Sequence, residues 1–82
     1  MAIFKITFKN KLDQNGEPCE LPADKLNTNG ARIDSYEYIK RETRDGDNFA
    51  REIWEYEIPD KDTDRFVDGL NSTPGVIEYK KQ

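Results

Sequence analysis

The sequence predicts a small α+β fold in which helices pack on one face of an antiparallel sheet. Three observations support this prediction: short segments in which apolar and polar residues alternate as in strands, one segment with the apolar spacing of a helix, and connections rich in Asn, Gly and Pro. The 82 residues fit a single domain, predicted as 1–82. Only 34% of the residues are hydrophobic, so the predicted core is thin.

The first strand is predicted from Phe4, Ile6 and Phe8, which alternate with polar residues and therefore point to one face of a sheet. The next stretch, residues 10–30, is rich in Asn, Gly, Pro and Asp, which predicts turns and irregular structure. Within this stretch a short helix is predicted over about 22–28, and it would make the first crossover helical.

A β-hairpin is predicted from residues 31–43 and 49–58, with a three-residue loop at Asp45–Asp47 between them. In the first of these strands, Ile33 and Ile39 are predicted on the face opposite to the tyrosines. The loop length predicts the register of the hairpin. The predicted cross-strand pairs are Tyr36–Tyr56, Tyr38–Trp54 and Lys40–Glu52 on one face, and Glu37–Glu55 and Arg41–Arg51 on the other.

A helix is predicted over about 60–71, because Pro59 ends the preceding strand and Asp60 is a good N-cap. Phe66 belongs to a narrow apolar stripe with the helical spacing of four residues. The segment Val76–Tyr79 then predicts a last strand. With right-handed crossovers, the order βαββαβ predicts a ferredoxin-like sheet with its helices on one face.

Few residues of the chain can support chemistry at neutral pH. The sequence has no histidine and a single cysteine, Cys19, and its glycines occur singly. The segment Asp60–Asp64 alternates acids like a calcium loop, but Arg65 and Asn71 occupy the positions where that loop needs Gly and Glu. We therefore predict no catalytic, cofactor-binding or metal-binding residue, no cofactor and no enzymatic activity.

The acidic residues are concentrated in one part of the chain. The net charge is −4, yet residues 45–64 carry eight acidic and two basic residues, a net charge of −6. Residues 1–12 carry three lysines and no acid. An acidic protein is not expected to bind nucleic acid or anionic membranes non-specifically. The absence of a long apolar run and the lone cysteine predict a cytoplasmic protein.

The leading hypothesis is a small non-enzymatic protein-interaction module, in its sharper form an inhibitor or regulator that presents carboxylates to a basic, nucleic-acid-binding surface of a protein partner. It would bind through the outer face of the hairpin and the acidic start of the helix. The predicted partner-binding residues are Glu37, Arg41, Arg51, Glu52, Glu55, Glu57, Asp60, Asp62 and Asp64. A membrane partner is not expected, and a homodimer remains open.

The alternative hypothesis is a single-stranded RNA-binding module that stacks bases on aromatic side chains of an open sheet face. The aromatic set is Tyr36, Tyr38, Trp54 and Tyr56, and the basic residues are Lys5, Lys9, Arg32, Lys40 and Arg41. The competing interpretation places these aromatic residues in the thin core beneath the Phe66 helix. The acidic hairpin favours the core interpretation, because it would repel a phosphate backbone.

Overall fold

The computed structural model describes residues 1–17, 19, 25–44, 46 and 48–82. Within them, four strands form one antiparallel sheet: β1 (Ala2–Lys11), β2 (Ser35–Thr43), β3 (Phe49–Ile58) and β4 (Val76–Lys81). A 3₁₀ turn at Asp60–Asp62 leads into the helix α1 (Thr63–Asn71). The strand order is β2-β3-β1-β4. The α+β class, the antiparallel sheet and the helix near 60–71 are therefore confirmed.

β1 and β3 are the two central strands of the sheet. β1 pairs with β3 along its whole length, from Ala2 opposite Ile58 to Lys11 opposite Phe49, and with β4 on its other edge. Every second side chain of β1 points towards the helix, and among these Phe4, Ile6 and Phe8 are at most 1% exposed. Phe66 of α1 packs on this face, with its ring 5.1 Å from Phe4 and 5.9 Å from Tyr56.

The helix start differs from the prediction in how its carboxylates are used. Asp60 is not the N-cap of α1, and neither Asp60 nor Asp62 makes a side-chain hydrogen bond to the first turn. The Asp60 carboxylate lies 2.9 Å from the amino group of Met1. The Asp62 carboxylate accepts a hydrogen bond of 3.1 Å from the backbone N–H of Arg32. Both acids bind another segment rather than cap the helix.

The predicted hairpin register is correct in its first half and wrong in its second. Tyr36 opposite Tyr56, Glu37 opposite Glu55 and Tyr38 opposite Trp54 are confirmed. A β-bulge between Tyr38 and Lys40 then shifts the pairing by one residue. The observed pairs beyond it are Lys40–Ile53, Arg41–Glu52, Glu42–Arg51 and Thr43–Ala50. The predicted Lys40–Glu52 and Arg41–Arg51 pairs are therefore wrong, because the extra residue moves Lys40 and Arg41 each to the opposite face of the sheet.

The chain before β2 runs along the helix instead of forming the start of that strand. β2 begins at Ser35, and Ile33 packs against the core rather than facing away from it. Asn29 and Gly30 form a turn with φ values of 54° and 80°, closed by a 2.9 Å hydrogen bond from the Ala31 N–H to the Thr28 carbonyl. Such a turn favours Asn and Gly because both central residues adopt the left-handed backbone conformation, with positive φ.

Residues 25–34, here called the strap, are held against the end of α1. The N–H of Asn27 donates to the Thr73 hydroxyl (3.1 Å), which in turn donates to the Gly69 carbonyl (2.8 Å). The Asn29 side chain donates to the Arg65 carbonyl at 3.3 Å. The short helix predicted over about 22–28 lies partly outside the described residues, and residues 26–28 are not helical. The strap therefore contacts the helix through polar groups, in addition to the apolar packing of Leu26, Ala31 and Ile33 against the core.

Candidate protein-interaction surface

The sheet has one face covered by α1 and the strap and a second face, here called the open face, that no described element covers. Side chains alternate along a strand, so the residues of β1 between the buried Phe4, Ile6 and Phe8 point to the open face. Thr7 and Ile53 lie opposite each other at its centre. Thr7 is only 7% exposed although it points away from the core, because its cross-strand neighbours shield it.

Four charged residues form a line across the open face, one from each strand. In strand order this charge row reads Lys80, Lys5, Glu55 and Glu37. Lys5 lies opposite both Lys80 and Glu55, and Glu55 lies opposite Glu37. None of the four forms an ion pair with another described residue. The row is therefore basic on the β4 side and acidic on the β2 side.

Glu37, Glu55 and Glu57 form an acidic corner at the end of the open face where β3 ends and β2 begins. Glu57 lies opposite Ser35 of β2, one position along the same face from the Glu37–Glu55 pair. Glu37 is exposed, and the other two are half-buried. Two carboxylates directly opposite each other on adjacent strands repel and cost stability. Lys5 of β1 lies opposite Glu55, but none of the three carboxylates forms an ion pair within the described part of the chain.

Two of the predicted partner-binding residues lie on the other face of the sheet. Glu52 is 6% exposed and accepts a hydrogen bond from the side-chain amide of Asn10, which is 2% exposed. Arg41, which the bulge moves opposite Glu52, points to the same face and is exposed. The carboxylate of Glu52 is thus used inside the fold and is not available to a partner.

Arg51 lies on the open face, but at the opposite end from the acidic corner. Its guanidinium carbon is 4.7 Å from the centroid of the Phe49 ring, and the Lys9 ammonium is 4.6 Å from the same centroid. Lys9 and Arg51 are directly opposite each other in the β1–β3 ladder. Cation–π contacts with Phe49 offset part of their mutual repulsion.

The acidic helix start contributes less free charge than its sequence indicates. Asp60 pairs with the Met1 amino group and Asp62 binds the strap, as described above. Asp64 is exposed and has no ion-pair partner within the described part of the chain. Of these three carboxylates, Asp64 is the one without a described intramolecular contact.

One carboxylate of the open face has a perturbed pKa. The Lys40 ammonium lies 2.9 Å from the Glu42 carboxylate on the same strand. The hydrogen bond from Lys40 and its positive charge lower the pKa of Glu42, with smaller contributions from Arg44 and Arg51. Glu42 therefore stays ionised to lower pH than an isolated glutamate, and its carboxylate pairs with Lys40 within the same strand.

The aromatic residues are divided between the core and the surface. Trp54 and Tyr56 of β3 are 7% and 2% exposed, as expected for the core interpretation. Tyr36 and Tyr38 of β2 are 63% and 48% exposed, because α1 does not reach the edge strand. Tyr36 stacks on Tyr56 at 5.7 Å, and Tyr38 meets Trp54 edge-on at 5.6 Å. An exposed tyrosine pair therefore lies along β2 on the helix-covered face.

The remaining site predictions concern metals and membranes. Among residues 1–17, 19, 25–44, 46 and 48–82, no three His, Cys, Asp or Glu side chains cluster as metal ligands would. No helix in the same residues has the length and apolarity needed to cross a membrane. Of the two lysines of the charge row, Lys5 was predicted as a basic residue of the RNA-binding alternative, and Lys80 was not predicted as a site residue. Their position depends on the β1–β4 register, which the sequence does not reveal.

No protein-family model matches this chain, and no curated protein or solved structure is significantly similar to it.

Proposed function

We propose that the chain is a non-enzymatic protein-interaction module that presents its acidic corner to a basic surface of a protein partner. The observation that carries the proposal is the Glu37–Glu55 pair. These two carboxylates face each other on the open face, with Glu57 beside them and no ion-pair partner within the described residues. Their repulsion is unfavourable in the isolated chain and is relieved when a cationic surface binds.

The proposed architecture is ferredoxin-like. β3 lies between β1 and β2, and β1 lies between β3 and β4, so each crossover connects strands that are separated by one other strand. This split arrangement is the topological feature of that fold. In the proposed architecture, the strap takes the place of the first crossover helix of the βαββαβ fold.

The proposed biological role is that of a cytoplasmic inhibitor or regulator. A surface that presents carboxylates at strand spacing offers the same charges as a nucleic-acid backbone, so it competes for basic nucleic-acid-binding surfaces. Glu37, Glu55 and Glu57 are the residues that would contact such a partner, whereas Asp64 belongs to α1 on the other side of the sheet. Glu52 is excluded because its carboxylate is buried with Asn10.

The proposal is tested with a fluorescently labelled Lys/Arg-rich peptide as the probe of a basic surface. Fluorescence anisotropy is measured at about 50 mM and about 500 mM salt, which shortens the Debye length from roughly 14 Å to roughly 4 Å. We expect binding at low salt that weakens strongly at high salt. The double variant Glu37→Gln/Glu55→Gln should lower the affinity at low salt at least tenfold, on the order expected for two charge contacts.

The matched control removes two carboxylates from elsewhere on the surface. Glu17→Gln/Asp68→Asn changes the net charge by the same amount, and both side chains are exposed. We expect this control to bind the peptide almost as well as the unmodified chain. Equal losses in the two double variants would show that net charge alone attracts the peptide, and the proposal would then be wrong.

Single-stranded RNA binding is the second candidate function, and one observation favours it. Tyr36 and Tyr38 are exposed beside each other on β2, so both rings are accessible to a base. Arg41 lies further along the same face of that strand. Titration with a short oligonucleotide in low salt, with Tyr36→Ala/Tyr38→Ala as the variant, tests it. Binding that the double variant abolishes would support this candidate over the acidic-corner proposal.

A further inference from the structure

The charge row is self-complementary. Read from β4 to β2 it is Lys80, Lys5, Glu55, Glu37, and read in the reverse direction every lysine takes the place of a glutamate. A second copy of the chain that meets this face in reverse strand order therefore offers the opposite charge at each position.

We propose that two copies of the chain associate through their open faces, with the two-fold axis lying in the interface parallel to the strands. This geometry places β1 of one copy over β3 of the other and β4 over β2. Lys5 then meets Glu55 of the second copy, and Lys80 meets Glu37. The inference rests on the proposed function, because it identifies the basic surface that binds the acidic corner as the Lys5 and Lys80 side of a second copy.

The centre of the open face is compatible with this packing. Under the same two-fold axis, Thr7 of each copy faces Ile53 of the other, so the middle of the interface is largely apolar. A shallow depression of about 260 Å³ borders these two residues and Lys80. It provides space for an Ile53 side chain from the facing sheet. Charged residues around an apolar centre are the usual arrangement of a protein interface.

A second line of charges on the face obeys the same symmetry. One step along the strands the residues are Glu78, Thr7, Ile53 and Lys40, again with opposite charges at the two ends. Glu78 of one copy thus meets Lys40 of the other. Because Lys40 already pairs with Glu42, this contact adds less than the charge row does. The Lys9–Arg51 pair is not complementary under this axis, so like charges meet at that end of the face and weaken the dimer.

The size of the face predicts a weak dimer. The area of the face can be estimated from about 3.4 Å per residue along a strand and about 4.8 Å between strands. Four strands over the length from Ile3 to Lys11 give a flat area of roughly 400 Å² per copy, without the additional surface of the side chains. Specific interfaces bury at least about 500–600 Å² per partner, so this one lies below that range and belongs with weak, transient contacts. We expect a dissociation constant of roughly tens to hundreds of micromolar for the dimer, and we expect it to rise strongly with salt.

The experiment uses charge reversal in complementary pairs. Variant A is Glu37→Lys/Glu55→Lys, whose charge row is entirely basic, and variant B is Lys5→Glu/Lys80→Glu, whose row is entirely acidic. Sedimentation equilibrium is measured from about 10 µM to about 1 mM chain. We expect the unmodified chain to dimerise, each variant alone to self-associate at least about tenfold more weakly, and an equimolar mixture of A and B to form a heterodimer.

Two further variants separate the interface from folding and from net charge. The chain with all four reversals has a row that is self-complementary again, so it should regain the homodimer. Glu17→Lys/Asp68→Lys raises the net charge by four units, as variant A does, but lies off the open face. It should dimerise like the unmodified chain and form no preferential complex with B. Circular dichroism identifies any variant that does not fold.

Specific outcomes overturn the inference. A chain that stays monomeric at about 1 mM in low salt, or variants A and B that both dimerise normally, would rule out this interface. The peptide assay of the proposed function is run below about 5 µM, where the chain is monomeric. Peptide binding without self-association removes the dimer and leaves the proposed function standing. Self-association that follows the charge pattern without peptide binding does the reverse.

Discussion

Asn10 and Glu52, which are 42 residues apart in the chain, are both buried and are joined by a hydrogen bond from the Asn10 side-chain amide to the Glu52 carboxylate. They lie at the end of the helix-covered face that is furthest from the acidic corner. A buried carboxylate needs such a donor, because removal from water without a partner costs several kcal/mol. The pair therefore connects β1 to β3 through a polar contact within an otherwise apolar face.

We expect Asn10→Ala to lower the free energy of unfolding by about 2–3 kcal/mol, because it leaves the Glu52 carboxylate without this donor. Chemical denaturation measures the change. The exposed loop substitution Gln14→Ala serves as the control and should change stability by less than about 0.5 kcal/mol. In a double-mutant cycle with Glu52→Gln, the two substitutions should be coupled by at least about 1 kcal/mol. Additive effects would mean that the two side chains do not interact in solution.

Gly69 allows the strap to contact the helix. A Cβ atom at this position would be 1.9 Å from the Asn27 carbonyl oxygen, far inside van der Waals contact. Gly69→Ala should therefore destabilise the protein by at least about 2 kcal/mol, although alanine is intrinsically the better helix former by about 1 kcal/mol.

The control for this substitution is Asp68→Ala, at the preceding, exposed position of α1. It should change the free energy of unfolding by no more than about 0.5 kcal/mol. Thermal and chemical denaturation measure both variants. If Gly69→Ala were as stable as the parent or more stable, the strap would not pack on α1 as described.

Trp54 is the only tryptophan, so its fluorescence reports directly on the edge of the core. At 7% exposure it should be quenched by iodide far less than in the unfolded chain. Tyr38→Ala removes the ring that meets Trp54 edge-on and should increase quenching, with a loss of about 1 kcal/mol in stability. Ile39→Ala, at the adjacent bulge, should leave the quenching unchanged. Strong iodide quenching of the unmodified chain would contradict the burial of Trp54.

The Lys40–Glu42 ion pair predicts a specific dependence on pH. Because folding lowers the pKa of Glu42 below its ordinary value of 4.5, the pair stabilises the fold above that pH, and the stabilisation is lost as the pH falls through the lowered pKa. Lys40→Met should raise the pKa of Glu42, as measured by NMR titration of its carboxyl carbon. Lys61→Met, far along the chain on the helix side, is the control. An unchanged Glu42 titration in Lys40→Met would refute the pairing.

The parts of the fold that depend on local pattern could be predicted from the sequence. The bounds of β3 agree with the prediction of 49–58: Trp54, Tyr56 and Ile58 alternate with glutamates at its end, and Pro59 follows it. α1 follows from the spacing of Phe66 and its apolar neighbours after Pro59. In both segments, neighbouring residues contain enough information to specify the element.

The parts that depend on distant contacts could not be predicted. The bulge near Ile39 shifts the pairing of β2 with β3 by one residue, and nothing in β2 alone requires it. Glu52 occupies a core-facing position that alternation correctly indicates, but its burial depends on Asn10, whose role is visible only once β1 and β3 are paired. Aspartate is a favoured N-cap residue, yet the Asp60 carboxylate pairs with the Met1 amino group and does not cap the helix.

The candidate surface was predictable to a similar degree. Glu37 and Glu55 were expected opposite each other, and they are. The lysines that complete the charge row, Lys5 and Lys80, belong to strands whose mutual register the sequence does not reveal. A charge pattern that crosses four strands becomes visible only when all four are aligned.

The central position of β1 has a consequence for synthesis of the protein on the ribosome. Both strands that flank it, β3 and β4, are translated after it, and β4 follows α1. The apolar residues Phe4, Ile6 and Phe8 therefore leave the exit tunnel long before their pairing partners exist. During that interval these apolar side chains are exposed to solvent, as in incompletely folded chains generally. A substitution that slows the β2–β3 hairpin would lengthen this interval and lower the yield of folded protein, even where the finished fold tolerates it.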